Sequence, residues 1–322
     1  MSQNKSKSAI IILVARTNII YRTLTLFYKN SNNKFQYPIY IHTFGDLIDD
    51  DLKKKINNEI DSTIKFITIY PKIPSHIDEK DLYYNRNYHD YVKKTFSKKR
   101  IGFLHMCYFL TNITNFGHEG CISSELENYE NLMFYDDDIH YKTEIKFDLF
   151  ESLTDYPLVT AFTSKLEKNE TNLACVENLW EFYKNYIALN KIIPKDKLLS
   201  SAITSNDDNV LFQLDHSSGC MELYNMKKFK NDNWYNFINE VNKYGGNYKF
   251  RWNNNFIINL YLRTYYDDPI KNLNLLENEI IDIKFPGSDQ FIYFDYKDYY
   301  NSKSFKFLVD LKNIFSKMYN KL

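Results

Sequence analysis

The stretch Asn131–Tyr141, NLMFYDDDIHY, decides how this chain is read. Leu132, Met133, Phe134 and Tyr135 form an apolar and aromatic run of the kind that fills a buried strand. It leads directly into Asp136, Asp137 and Asp138. Three adjacent carboxylates repel one another and lose hydration on burial, so they require positive charge among them. In open α/β sheets, ligands bind outside the carboxyl ends of the strands. The acidic end of this strand is therefore the first place to look for a site.

Outward from it, strand-like and helix-like segments alternate. AIIILVAR (9–16) is a short isoleucine-rich run and predicts a buried first strand. TNIIYRTLTLFYKN follows at near-helical spacing, with Thr17 placed to cap it. YPIYIHTF (37–44) and IKFITIYP (64–71) predict two more strands, separated by the charged helical piece DLIDDDLKKKINNEI. KRIGFLHMCYFLTNI (99–113) predicts a buried helix. The Asn131 stretch is the fourth strand and YPLVTAFTS (156–164) the fifth. Beyond these, ENLWEFYKNYIALNKI and NDNWYNFINEVNKY predict helices, and DIKFPGS (282–288) begins a less regular C-terminal part. The β-α-β-α-β order predicts an α/β fold with a mainly parallel sheet flanked by helices. No repeat and no Gly/Ser/Pro-rich linker interrupts it, which points to one continuous domain over residues 1–322.

Composition bounds the function. The 322 residues are 44% hydrophobic and 25% charged, enough to fill a core. Forty-one basic residues balance 41 acidic ones, so no global basic excess supports nucleic-acid binding. A local patch, VKKTFSKKR (92–100), reads as a solvated helix face. Aromatic residues make up 17% of the chain. They line sugar and nucleotide sites, but they also follow from the Asn, Lys, Ile and Tyr bias of an AT-rich genome. The four cysteines, Cys107, Cys121, Cys175 and Cys220, lack zinc-ligand spacing and read as reduced thiols. No segment reaches the apolar length of a transmembrane span, and the N-terminal run lacks a cleavage site, so the expectation is a cytoplasmic protein.

Acidic runs recur at Asp49–Asp51, Asp136–Asp138, Asp207–Asp208 and Asp267–Asp268. The first precedes LKKK and belongs to a helix's first turn, where negative charge meets the helix dipole. Asp136–Asp138 end a strand instead. On an extended chain Asp136 and Asp138 share one side, and such a pair suits Mg²⁺ or Mn²⁺, which take oxygen ligands. The competing reading is a solvated corner. A second constellation, FQLDHSSGCMELYNM (212–226), sets Asp215, His216 and Glu222 among apolar residues. A carboxylate in such surroundings has a raised pKa and can act as nucleophile or base, or simply pair with a nearby cation.

Together these blocks resemble the fungal-type α-1,2-mannosyltransferases. FLHMCYF (103–109) is similar to that family's Tyr-Arg-His-Met-Cys-Arg-Phe segment and keeps His105, Met106, Cys107 and Phe109. The YENLMFYDDDIHYKTEIKFDLF block follows the family pattern without a gap, with Asp136 on its metal-binding Glu. TAFT (160–163) echoes Tyr-Gly-Phe-Thr, and Leu179–Trp180 a later Leu-Trp. HSSGCMEL (216–223) lines up with His-Phe-Trp-Ser-Asn-Phe-Glu-Ile, placing His216 and Glu222 on its His and its candidate nucleophile. The same register brings Gly245, Gly246, Arg251 and Trp252 onto Gly-Gly and Arg-Trp. VARTN (14–18) resembles the Val-Arg-Asn that ends the family's first strand.

The resemblance implies a GT-A-like fold and a retaining glycosyltransferase that moves mannose from GDP-mannose to a glycan or glycoprotein acceptor. It implies Mn²⁺ or Mg²⁺ on Asp136 and Asp138, with Glu222 and His216 as catalytic groups. Arg16, Thr17, Asn18, His105, Asp137, Asp215, Arg251 and Trp252 would bind the nucleotide sugar. For Trp252 a place in the core is the more frequent case. Three departures stand out: Phe103 replaces the family's Tyr, Leu104 and Tyr108 its two arginines, and Ile258 its metal-binding His. They keep a non-catalytic glycan- or protein-binding module as the alternative.

Overall fold

The computed structural model describes residues 7–83, 101–168, 170–275, 278 and 281–283. The basic patch at 92–100 and most of DIKFPGS lie outside the described residues. Strand β1 (Ser8–Val14) runs into helix α1 (Thr17–Phe27), followed by β2 (Ile39–Phe44), α2 (Asp50–Glu59), β3 (Ile64–Ile69) and α3 (Ile101–Thr111). Next come β4 (Asn131–Asp136), β5 (Ile139–Tyr141), β6 (Leu158–Thr160), β7 (Thr163–Lys165), α4 (Glu170–Val176), α5 (Leu179–Leu189) and α6 (Lys197–Ser205). The chain continues through β8 (Asp215–Ser217), β9 (Met221–Asn225), α7 (Asp232–Tyr244), α8 (Asn254–Tyr265), β10 (Ile270–Asn272) and β11 (Ile281–Ile283).

Seven strands form the main sheet in the order β10-β6-β9-β4-β1-β2-β3. All pairings are parallel except those of β9, which runs antiparallel between β4 and β6. The sheet is thus mixed and mainly parallel, as the segment order predicts. Alternation along β1 explains how it is covered. Ile10 and Ile12 pack with Ile20, Leu24 and Phe27 of α1 on one face. Ala9 and Ile11 face the other, with Phe109 of α3, Trp234 and Phe237 of α7 and the apolar side of α8.

Several boundaries differ from the sequence reading, each for a local reason. The fourth strand stops at Asp136. The chain then turns through Asp137 and Asp138, and β5 joins a separate two-stranded sheet with β11. Asp136 and Asp138 therefore do not share one side of an extended segment. The fifth strand also divides: β6 stays in the main sheet while β7 pairs with β8. Thr17 does not cap α1. Arg16 occupies the cap position and makes no side-chain cap bond. Asp49, by contrast, caps α2 by accepting the Leu52 N–H at 2.8 Å, with Asp50 and Asp51 in the first turn.

The Gly245–Gly246 pair has a packing explanation. Gly245 ends α7 with φ of 76°, in the left-handed region. At Gly246 an added Cβ would stand 1.8 Å from Trp252 Cε3. Trp252 is fully buried, and its indole N–H donates to the Glu177 carbonyl at 2.6 Å, so it has no room to yield. Gly246→Ala is expected to destabilise by about 3 kcal/mol, as overpacking does. Gly102→Ala, where nothing lies within 4 Å, is expected to leave thermal unfolding nearly unchanged. Equal melting temperatures for the two variants would refute this account of the pair.

Candidate active site

Arg16 supplies the positive charge that the acidic triplet requires. It stands where β1 passes into α1, beside the end of β4, because β1 and β4 pair in parallel up to Leu13 and Asp136. Asp137 Oδ2 accepts the Ala15 N–H at 2.7 Å and the Arg16 N–H at 2.8 Å. Its Oδ1 accepts from Arg16 Nη1 at 2.7 Å. Thr23 of α1 donates to the Asp137 carbonyl at 2.8 Å. The same Arg16 nitrogen pairs with Asp138. Asp137 is thus a buried clamp that fixes Arg16 and the start of α1, and its side chain is committed to the protein. Thr17 and Asn18 follow in the first turn of α1, with Asn18 exposed.

Asp136 is different. Its N–H donates to the Cys220 carbonyl at 2.9 Å, but its carboxylate has no hydrogen bond or ion pair among the described residues. Loss of hydration, then Asp138, then Asp137, push its pKa well above the ordinary carboxylate range, against the pull of Arg16. Loss of hydration likewise raises Asp138 to about 6, although Arg16 opposes it. Asp137 is raised for the same first reason, with Arg16 and the two N–H donors opposing.

This donor set fits a hard divalent cation. A partly exposed carboxylate with no partner, held among like charges, gains from a cation, and Asp138 can join it by exchanging its Arg16 contact. Among the described residues no group of three or more His, Cys, Asp or Glu side chains is arranged around one point. A Mg²⁺ or Mn²⁺ that takes one or two carboxylates, with phosphates and waters completing its shell, needs no such group. Ile258 provides no ligand: it lies on α8 with its side chain buried in the core.

Glu222 stands one strand away. Antiparallel pairing sets it opposite Phe134 on β4 and Thr160 on β6. Phe134 and Asp136 are two residues apart, so Asp136 and Glu222 lie on the same sheet face, and the Glu222 charge raises the Asp136 pKa. Glu222 is 1% exposed. Burial raises its pKa, and the Ser217 side chain, Tyr224 and the Gly219 N–H oppose the rise. Tyr224 donates to Oε2 at 2.6 Å, while Oε1 is buried without a hydrogen bond.

The remaining predicted residues divide. His105, on α3, contacts the Tyr248 hydroxyl through Nδ1 at 3.0 Å and packs against Phe44 at the carboxyl end of β2. Burial lowers its pKa to about 4. His216 is also buried and lowered to about 4. Its Nε2 donates to the Leu211 carbonyl at 2.7 Å, which leaves Nδ1 a bare acceptor. Asp215 does not converge on the site. Its side chain is exposed, and its carbonyl takes a bond from Arg263 at 2.9 Å. Arg251 has φ of 59°, meets Cys175 Sγ at 2.9 Å and lies 4.2 Å over the Phe103 ring. Trp252, buried among Phe182, Tyr244 and Phe250, presents no open face for a sugar. A groove of about 820 Å³ between α5 and α7 contains none of these residues.

Sequence reasoning missed Tyr224 and Ser217. The signal is present, since residues two apart on a strand share a face, but FQLDHSSGCMELYNM does not by itself declare that it contains β9.

Comparisons with known proteins identify the family and the fold. A model of the glycolipid 2-alpha-mannosyltransferase family matches residues 1–273. No curated protein sequence matches the chain. Among solved structures, the mannosyltransferase Ktr4p from S. cerevisiae superposes with a TM-score of 0.66 at 18% identity, over 83% of this chain and 68% of that one. Its complex with GDP superposes with a TM-score of 0.65 at 18% identity, over 81% and 67%. Core-mannan synthase A from Aspergillus fumigatus, in a Mn/GDP form, gives 0.66 at 15% identity, over 85% and 74%. At such identities these structures speak for the GT-A-like fold. The family model spans most of the chain, and on that ground the protein belongs to the glycolipid 2-alpha-mannosyltransferase family of glycosyltransferases.

Proposed function

We propose that the protein is a retaining mannosyltransferase that moves mannose from GDP-mannose to a hydroxyl of a glycan or glycoprotein acceptor, within one glycosyltransferase domain. The observation that carries this reading is the placement of Asp136 and Glu222 on adjacent strands and one sheet face, at the ligand-binding edge. The related structures hold GDP, in one case with Mn. Asp136, with Asp138, would hold Mn²⁺ or Mg²⁺. A bound cation there neutralises charge on the diphosphate and makes it a better leaving group.

This chain's own residues do the rest. Arg16, released from Asp138, is placed to meet a phosphate, and the first turn of α1 at Thr17 and Asn18 favours an anion. Asp137 keeps Arg16 at that edge. His105 and His216, both neutral, are suited to hydrogen bonding rather than to charge. Arg251 packs over Phe103 of α3. As the bond from the anomeric carbon to the diphosphate oxygen breaks, positive charge develops on the sugar ring. The Glu222 carboxylate stabilises it, by covalent attack or as an ion pair, and either route yields retention. Four buried free thiols suit a reducing, cytoplasmic setting. Among the described residues no helix is long and apolar enough to cross a membrane.

A panel of nucleotide sugars with Mn²⁺, scored for released nucleotide and for thermal shift, tests the reading. GDP-mannose is expected to give both signals. A shift without turnover would establish the non-catalytic module, which the carboxylates of Asp136 and Glu222 disfavour. Absence of both with every donor would overturn the assignment.

A further inference from the structure

The Glu222 carboxyl is held asymmetrically. One oxygen, Oε2, accepts the Tyr224 hydroxyl at 2.6 Å; the Ser217 side chain and the Gly219 N–H also lower the pKa of the carboxyl, yet Oε1 is buried with no hydrogen bond. A buried polar atom left unpaired needs a physical reason. Here strand polarity provides one. β9 runs antiparallel to β4, so its residues nearest Cys220 lie at the acidic edge and Tyr224 lies deeper in the sheet, opposite Leu132 and Leu158. The tether therefore reaches Glu222 from the core side and leaves the second oxygen unengaged.

Tyr224 is built as a fixed donor. It is 1% exposed, and its ring makes edge contacts with Phe134 at 5.4 Å and Phe229 at 5.5 Å between centroids. Burial and the neighbouring carboxylate hold its pKa well above the ordinary tyrosine value, so the hydroxyl keeps its proton at any working pH. A phenol clamped by rings on the sheet face fixes a carboxylate more rigidly than a flexible side chain would.

We propose that Tyr224 is a positioning residue for Glu222: it fixes Oε2 from the interior and so presents Oε1 to the anomeric carbon. The proposal rests on the reading of Glu222 as the group that meets the sugar. Tyr224 touches no reacting atom, and its effect passes through the carboxylate.

Tyr224→Phe removes only the hydroxyl and leaves the ring contacts, so the variant is expected to fold. In its crystal structure the Glu222 carboxyl is expected to rotate away from its present orientation. With GDP-mannose, kcat is expected to fall on the order of 10- to 100-fold, the scale of a misplaced reacting group, with GDP affinity unchanged. In the Glu222→Gln background the same change is expected to cost nothing more. An unmoved carboxyl in the variant crystal would overturn the proposal whatever the activity. So would a wild-type kcat, or an equal further loss when Tyr224→Phe is added to Glu222→Gln. The two readings fail separately: an active Glu222→Gln variant sinks the role of Glu222. An inert wild type sinks the donor assignment, while the crystal still decides what Tyr224 does.

Discussion

Glu222→Gln is expected to lower transfer from GDP-mannose by roughly 10³-fold or more, the scale of removing a group that meets charge in the transition state. The substitution keeps shape and the bond from Tyr224 but removes the negative charge. It also removes a desolvated carboxylate whose pKa burial has raised, so folding should not suffer. GDP affinity should be unchanged, because in the proposed reading the nucleotide binds at the β1–α1 and β4 side. In the wild type, transfer should decline on the acid side with an apparent pKa above the ordinary glutamate value, since protonation disables the carboxylate. Single-turnover measurements across pH, together with calorimetric GDP binding, check the prediction. Wild-type turnover in the Glu222→Gln variant would remove Glu222 from the reaction.

Asp136→Asn is expected to cost about 100-fold or more in Mn²⁺-dependent GDP affinity. The carboxylate has no protein partner of its own among the described residues, so its loss falls on the cation. The same variant should be more stable than the wild type at neutral pH without metal. The sign follows from linkage. Asp136 and Asp138 have folded pKa values above their unfolded ones, Asp138 at about 6. The favourable contribution is complete below the ordinary carboxylate range and is lost as pH rises through the folded values. The metal-free protein should therefore lose stability between about pH 4 and 6 and beyond, and Mn²⁺ should restore it. Isothermal titration of GDP with Mn²⁺ or with chelator, and melting curves across pH, test both halves. If the wild type bound GDP equally with and without Mn²⁺, the cation site would be ruled out.

The first half of the fold was legible because each strand there is a short apolar run with helical spacing between. The break inside Asn131–Tyr141 was not, since turning through Asp137 depends on Arg16, which lies far away in sequence. The second half hid more. β8, β9 and β10 are three to five residues long, too short for periodicity to register, and the antiparallel insertion of β9 exists only through its two neighbours. The acidic cluster could be located from the strand end alone. Dividing it into a free carboxylate, a clamp and a paired one needed the Arg16 guanidinium in place. Trp252 shows the opposite limit: an aromatic residue in a promising block is held in the core by Gly246.

The insertion of β9 also works as a gauge. In the proposed reaction, hydrogen-bond rungs between β4 and β9 space the leaving-group end from the carboxylate end, and rungs come only in whole residues. A one-residue shift of β9 would turn Glu222 to the opposite face, among the residues packed on α1. Substrates of different length must then be accommodated at the rim, by the loops around the sheet, while the separation that governs bond breaking stays the same for all of them.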